Sequence, residues 1–305
     1  MKYTPKTLCC LALLVAVLFL QADALLAAPA SRPAQAKLHF TKVRPGVEFA
    51  VASMDGEKPS FTDDAFIAIR ISPKNNIFTL CMASQSGQSR SLPDWAVKER
   101  LIAGINAGMY LPDHKTNTGY MRSGSTINNP AMGGRLGAFF VAARKNNRLP
   151  KADIIEKSLA GWEKRLAAYD TVVQNYRLVS SDGKMLWQEG KSSHSIAVVA
   201  KDKKGNLLFV LCQKSLSVED FTRTLKEFIP NVGVVMYVEG GSEAGLFLRM
   251  PSVEKAAGKK PDAMYGASVR PVPGGLVYVW KGRQSLLGLP GSADAELPNI
   301  IGVLF

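Results

Sequence analysis

Histidine and cysteine are scarce in this chain, with three and four copies among 305 residues. Two of the cysteines, Cys9 and Cys10, open an N-terminal apolar run, and the other two, Cys81 and Cys212, sit in apolar, strand-like stretches. No spacing of zinc or EF-hand type exists, so the sequence supports no cofactor and leaves a divalent cation open but unsupported. Asp113-His114 could add ligands only without support from such a spacing. No activating base lies near either internal cysteine, which argues against a thiol nucleophile. A Cys81–Cys212 disulfide remains open, since pairing depends on geometry, but buried free thiols are the simpler reading. Long apolar runs are also missing beyond residue 20, so nothing later in the chain reaches membrane-spanning length. There is no recognition helix and no stacking platform, which excludes the usual nucleic-acid binders. Acidic residues are outnumbered 25 to 38 by Lys and Arg, for a formal charge of +13. That imbalance favours anionic partners through long-range attraction.

The N-terminus reads as an export signal. Lys2 and Lys6 form a positive start, 8–20 is the apolar stretch, and Ala22-Asp23-Ala24 offers a small-x-small cleavage site. Residues 1–24 are therefore expected to be a signal peptide, and 25–37, rich in Ala, Pro and Ser, a linker. An uncleaved anchor is the alternative. Residues 38–305 are the expected globular domain of an exported protein, periplasmic or secreted, with anionic envelope glycans as plausible partners. Their apolar content is enough for a real core. The oligomeric state is not legible.

The chain repeats an order of elements. In the first half, Ala65–Ile71 and 77–82 read as strands, Ser91 opens a helix to about Ile102, and Gly104-Ile105-Asn106-Ala107-Gly108-Met109-Tyr110 follows. In the second half, 195–200 and 207–213 read as strands around a turn at Gly205, and Ser217 opens a helix to about Ile229. Both helices start with Ser-x-x-Asp, which supplies an N-cap hydroxyl and an early carboxylate. Each half thus reads strand–strand–helix–strand. Two such pseudo-symmetric units would pack their helices against a shared or paired sheet, with the motifs at Asn106 and at Glu239 converging on one cleft.

The densest chemical signal is Val234-Val235-Met236-Tyr237-Val238-Glu239-Gly240-Gly241-Ser242-Glu243-Ala244. An apolar run reads as a buried strand and stops at a carboxylate followed by two glycines. Glycine permits a sharp turn and close approach of a ligand to backbone. Glu239 is thereby expected at a rigid strand end, with Glu243 four residues on. The bland alternative is a strand end with solvated glutamates.

Taken in order, 105–110, 136–141, the hairpin at Gly205, the helix from Ser217, Tyr237-Val238-Glu239-Gly240-Gly241 and 297–303 resemble the phosphodiester glycosidase family. The resemblance covers about 66–303 and implies a glycosidase acting on sugar phosphodiesters, with exopolysaccharide-type relatives in bacteria. It also implies an α+β fold in which a strand-rich mixed sheet wraps helices, with the site between two pseudo-symmetric halves. Where that family usually carries Asp-Gly-Gly, this chain carries Glu239-Gly240-Gly241. Gln174-Asn175-Tyr176-Arg177 replaces a Ser-Gly-Pro turn, and His194 stands where an arginine is common. These forms look like a bacterial subgroup with its own substrate.

Cleavage of a sugar-1-phosphodiester passes through an oxocarbenium-like state that a carboxylate stabilises. Phosphate needs cations or N–H donors. Glu239 is the expected carboxylate at the anomeric centre and Glu243 the second. His194 is the expected proton shuttle, although one histidine before a strand is often incidental. Arg122 and Arg177 are expected at phosphate, with the N–H groups of Gly240 and Gly241. Asn106, Gly108 and Tyr110 are expected on the sugar. Two other classes of function remain open, a non-catalytic glycan-binding protein that keeps the fold and a scaffold of an envelope or polysaccharide assembly.

Overall fold

Alternation along the strands decides the architecture. In Ala65–Ile71 the side chains of Ile67, Ile69 and Ile71 enter one apolar cluster, and those of Phe66 and Ala68 enter another. The same division holds in Leu207–Leu216, where Leu207, Phe209 and Leu211 part from Leu208, Val210 and Cys212. A period of two means that each strand has two faces, and here both are buried. The structure is a computed structural model that describes residues 37–54, 65–187, 192–250, 267–273, 275–283 and 292–304. The expected signal peptide and most of the expected linker lie outside those residues.

The described strands form three sheets, paired antiparallel throughout. The seven-stranded sheet runs Thr41–Arg44, Val47–Ser53, Ala65–Ile71, Leu207–Leu216, His194–Asp202, Val232–Gly240, Arg177–Val179. The six-stranded sheet runs Ser268–Val272, Gly275–Lys281, Gly245–Met250, Leu101–Asn106, Asn299–Leu304, Phe78–Met82. The five-stranded sheet runs Thr126–Asn129, Met121–Ser123, Tyr169–Asn175, Ala138–Arg144, Ala152–Glu156. Each turns one face onto a shared core that includes Ile69, Phe209, Leu80, Ile105, Phe140 and Val173. The opposite faces carry the helices. Val218–Phe228 lays Val218, Phe221, Leu225 and Phe228 on the seven-stranded sheet. Leu92–Lys98 covers the six-stranded sheet through Leu92, Trp95 and Ala96, and Trp162–Ala167 covers the five-stranded sheet through Trp162 and Leu166.

Both expected caps form. Ser91 Oγ accepts the Asp94 N–H at 3.3 Å and Ser217 Oγ accepts that of Asp220 at 3.0 Å. The Gly205 turn also forms, with Asp202 Oδ1 accepting the N–H groups of Lys204 and Asn206, each at 2.9 Å.

The expectation of an α+β fold built on a mixed sheet is overturned. The described residues hold eighteen strands and four α-helices, the longest of eleven residues, so the protein is mostly β. The sheets do not wrap the helices; they wrap each other, and the helices lie outside. The two halves keep their element order but not a common architecture. His194–Asp202, Leu207–Leu216 and Val232–Gly240 are neighbours in one sheet, whereas Ala65–Ile71 lies in a different sheet from Phe78–Met82 and Leu101–Asn106. Strands buried on both faces look alike whether a helix or a second sheet covers them, so the sequence pattern alone does not separate the cases. The first helix also ends at Lys98 rather than near Ile102, because Leu101 and Ile102 pair into the sheet. Cys81 and Cys212 are buried thiols in the outer clusters of different sheets, and no disulfide joins them. Burial pushes the Cys81 thiol up to about 12, which keeps it protonated and inert.

Phe221 is fully buried and stacks on Phe66 at 6.2 Å, so Phe221→Ala is expected to cost about 3–5 kcal/mol in denaturant unfolding. Ser217→Ala, which removes only the cap, is expected to cost about 1 kcal/mol. Equal losses for the two variants would show that the helix is not held by its apolar face.

Candidate active site

The strand Val232–Gly240 changes register at its end. Tyr237 pairs with Val198 and Glu239 with Ala197, so Val238 and Glu239 together oppose one residue. Such a bulge re-aims the side chain that follows it. Glu239 would otherwise share the face of Val235 and Tyr237; instead it sits level with Ala197, which faces the shared core. It is only 8% exposed. Its Oε1 accepts the Gly240 N–H at 2.9 Å. Gly241 then takes φ +63°, and Gly241–Glu243 closes as one 3-10 turn.

Two buried side chains brace that turn from the six-stranded sheet. Asn106, at the end of Leu101–Asn106, donates from Nδ2 to the Glu243 carbonyl at 3.1 Å and accepts the Gly245 N–H at 2.7 Å. Lys281, at the end of Gly275–Lys281, donates from Nζ to the same carbonyl at 2.9 Å and is 3% exposed. Tyr110 donates its hydroxyl to Glu243 Oε2. Two sheets thus meet where Glu239, Glu243, Lys281, Asn106 and Tyr110 converge.

Burial dominates the electrostatics. It pushes Glu239 up to about 7; the Gly240 N–H opposes that rise, Glu243 adds to it, and Lys281 opposes it. Burial also brings Lys281 down to about 8, against the pull of Glu243 and Glu239. Tyr110 and Tyr237 are both held above the usual phenol range, chiefly by burial. His194 is lowered by burial, so its ring is neutral near pH 7, and its Nε2 lies 3.2 Å from the Tyr237 hydroxyl. A side chain at position 240 would strike that hydroxyl and the His194 ring, which is why glycine stands there.

The sequence-derived candidates divide. Glu239, Glu243, Asn106 and Tyr110 come together, and His194 joins them through Tyr237, whose hydroxyl feels the Glu239 charge. Asn106 holds backbone with both ends of its amide rather than offering it to a sugar. Gly108 is buried beneath Asn117 and Asn175, so its role is close packing. The Gly240 N–H, expected at phosphate, is donated to Glu239 instead. Arg177 lies on the strand beside Met236, but its Nη1 is held by Glu156 Oε2 at 2.7 Å and Ser158 Oγ at 2.6 Å. Arg122 belongs to the five-stranded sheet, where its Nη2 donates to the Tyr169 carbonyl at 2.7 Å. Asp113 accepts the N–H groups of Lys115 and Thr116 and so organises its own loop. Lys281 was missed. Its signal was present, since Val277-Tyr278-Val279-Trp280-Lys281-Gly282 is a second apolar run that ends in a charge and a glycine.

The raised Glu239 carboxyl has a thermodynamic consequence. Its folded value lies above its unfolded one, so the folded chain holds the extra proton between about pH 4.5 and 7. Stability therefore falls as pH rises through that window, by about 3 kcal/mol, and Glu239→Gln removes this loss. Unfolding free energies measured from pH 4.5 to 7.5 should show the variant gaining on the wild type; parallel profiles would mean that Glu239 is not desolvated.

Solved structures of similar fold include the zebrafish N-acetylglucosamine-1-phosphodiester alpha-N-acetylglucosaminidase catalytic domain, auto-inhibited by its pro-peptide. It aligns with a TM-score of 0.56 and 10% identity over 88% of this chain and 89% of that one. A hypothetical protein from Synechocystis aligns with a TM-score of 0.53 and 12% identity, over 90% of this chain and 64% of that one. At such identities the likeness is one of fold. No protein of curated function matches the sequence. The sequence model of the phosphodiester glycosidase family matches residues 99–279, which contain Asn106, Tyr110, His194, Glu239 and Glu243. With more than half of its length matched, the chain belongs to the phosphodiester glycosidase family.

Proposed function

We propose that this protein is an exported glycosidase that cleaves a sugar-1-phosphodiester, or a related phosphorylated glycan of the envelope or exopolysaccharide. The observation that carries this reading is the pair of carboxylates at the Gly-Gly turn, placed in unlike surroundings. Glu239 is buried and titrates near 7, whereas Glu243 is partly exposed and accepts the Tyr110 hydroxyl. Two carboxyl groups whose environments differ in this way divide the roles of acid and charge stabiliser. Glu239 supplies the proton to the bridging oxygen as the anomeric C–O bond breaks, so the phosphate departs as a monoester. Glu243 faces the positive charge that develops on the ring. Water then adds to the anomeric carbon and returns a proton to Glu239. Lys281 holds the turn between the two glutamates through the Glu243 carbonyl and tunes Glu239 through its charge.

Turnover of a panel of sugar-1-phosphodiesters by the mature protein tests the assignment. Glu239→Gln should lower kcat by about 10²–10⁴ while the fold is retained. The pH profile of the wild type should lose activity above about 7, as the acid deprotonates. Lys281→Met removes the charge that opposes the rise of Glu239, so this limb should move to higher pH. Full activity in Glu239→Gln would remove it from the chemistry.

A second reading, a glycan-binding protein without turnover, draws on one specific observation. The Gly240 N–H and the Arg177 guanidinium, both expected at phosphate, are engaged within the protein. Saturable glycan binding without hydrolysis across the panel, shared by Glu239→Gln, would favour it.

A further inference from the structure

The strand His194–Asp202 ends far from Glu239. Ala197 pairs with Glu239, and Lys201 lies four residues further along, roughly 13 Å away at the usual rise of a strand. There the turn after Asp202 and the loop between Ala138–Arg144 and Ala152–Glu156 border a groove of about 490 Å³. Six cationic side chains line it, Lys74, Arg144, Arg148, Lys151, Lys201 and Lys204, against one carboxylate, Asp153. Asp153 is already matched by Lys201 at 2.5 Å and Arg165 at 3.5 Å. Among the described residues no carboxylate pairs with Lys74, Arg148, Lys151 or Lys204. Like charges gathered in a concave wall raise the local potential and repel one another unless an anion joins them.

We propose that this groove is a second binding site, for the phosphate groups of a linear polyanion such as a phosphodiester-linked glycan. A neighbouring cleft of about 380 Å³ shares Lys204 with it. In that cleft Glu48 and Asp202 both approach Arg70, so the charge is close to balanced. Arg148 brings a planar guanidinium group suited to phosphate, while Arg144 donates from Nη1 to the Leu149 carbonyl and adds its charge. Among the described residues no aromatic side chain lines the groove, which gives none of the stacking surface that single-stranded nucleic acids use. Its concave floor, with Pro73, Leu149 and Pro150, fits a chain better than a flat lipid surface. The site stands apart from the carboxylate cluster and does not depend on catalysis there. It would hold a polymer by its charges while another stretch of the same or a neighbouring chain meets Glu239.

Binding of long-chain inorganic polyphosphate to the full chain, followed by calorimetry at moderate salt, tests the proposal. Arg148→Glu with Lys151→Glu should weaken binding at least about tenfold, and the milder Arg148→Gln with Lys151→Gln should weaken it less. Lys98→Glu with Lys184→Glu makes the same change in net charge at exposed positions outside the groove, and should leave binding within about twofold. Circular dichroism and thermal melts establish that each variant is folded. Equal weakening by both pairs of charge reversals, or no binding by the wild type, would overturn the proposal. So would capture by phosphatidylglycerol vesicles that the groove variants lose while their polyphosphate binding stays intact; that result would assign the face to a lipid surface.

Discussion

Ile67, Ile69, Leu80, Ile105, Phe140, Val199 and Phe209 come from three sheets into one apolar core, to which no helix contributes among the described residues. This mutual burial is the constraint on which the rest depends. Burial of aliphatic side chains is worth about 1.5–3 kcal/mol each, and it is collected here only when all three sheets close together. A slip of one residue in any strand would exchange its inner and outer faces. The register is thereby set, and with it the places where strands end. The helices follow as covers for the outer faces, each over the apolar residues its own sheet leaves behind.

The candidate site is a product of that closure. Glu239 sits at the end of a strand in the seven-stranded sheet, while Asn106 and Lys281 end strands in the six-stranded sheet. Neither sheet alone holds the group. The core brings the three strand ends together, and the bulge at Val238 and Glu239 turns the carboxyl inward. Desolvation then does what exposure would not, raising a carboxylate and lowering a lysine until both titrate near neutrality. Family membership and local chemistry therefore meet at one turn, and a basic groove lies at the other end of the strand that pairs with Glu239.

Much of this was legible along the chain. The strand and turn at Val238-Glu239-Gly240-Gly241, the two Ser-x-x-Asp caps and the Gly205 hairpin all rest on local patterns, and all form. Tyr110 and Glu243 were candidates on the same grounds, and they meet. Arg122 and Arg177 were misplaced for the opposite reason. A cation shows its charge in the sequence but not its partner, and Glu156 and the Tyr169 carbonyl claim these two. Lys281 carried the same strand-then-glycine signature as Glu239 and was overlooked because nothing near it in sequence was acidic.

By itself the sequence determined the strand-rich pattern, the helix starts, the sharp glycine turns and the carboxylates of the site, because each depends on residues within a few positions of one another. Only the tertiary structure decided that the two similar halves divide differently among three antiparallel sheets, that helices lie outside rather than within, and that Lys281 and Asn106 hold the Glu239 turn. Those outcomes depend on contacts between segments far apart in sequence, 38 residues for Lys281 with Glu243 and 137 for Asn106 with Glu243. The titration of Glu239 likewise follows from the water that such contacts exclude, which no local pattern records.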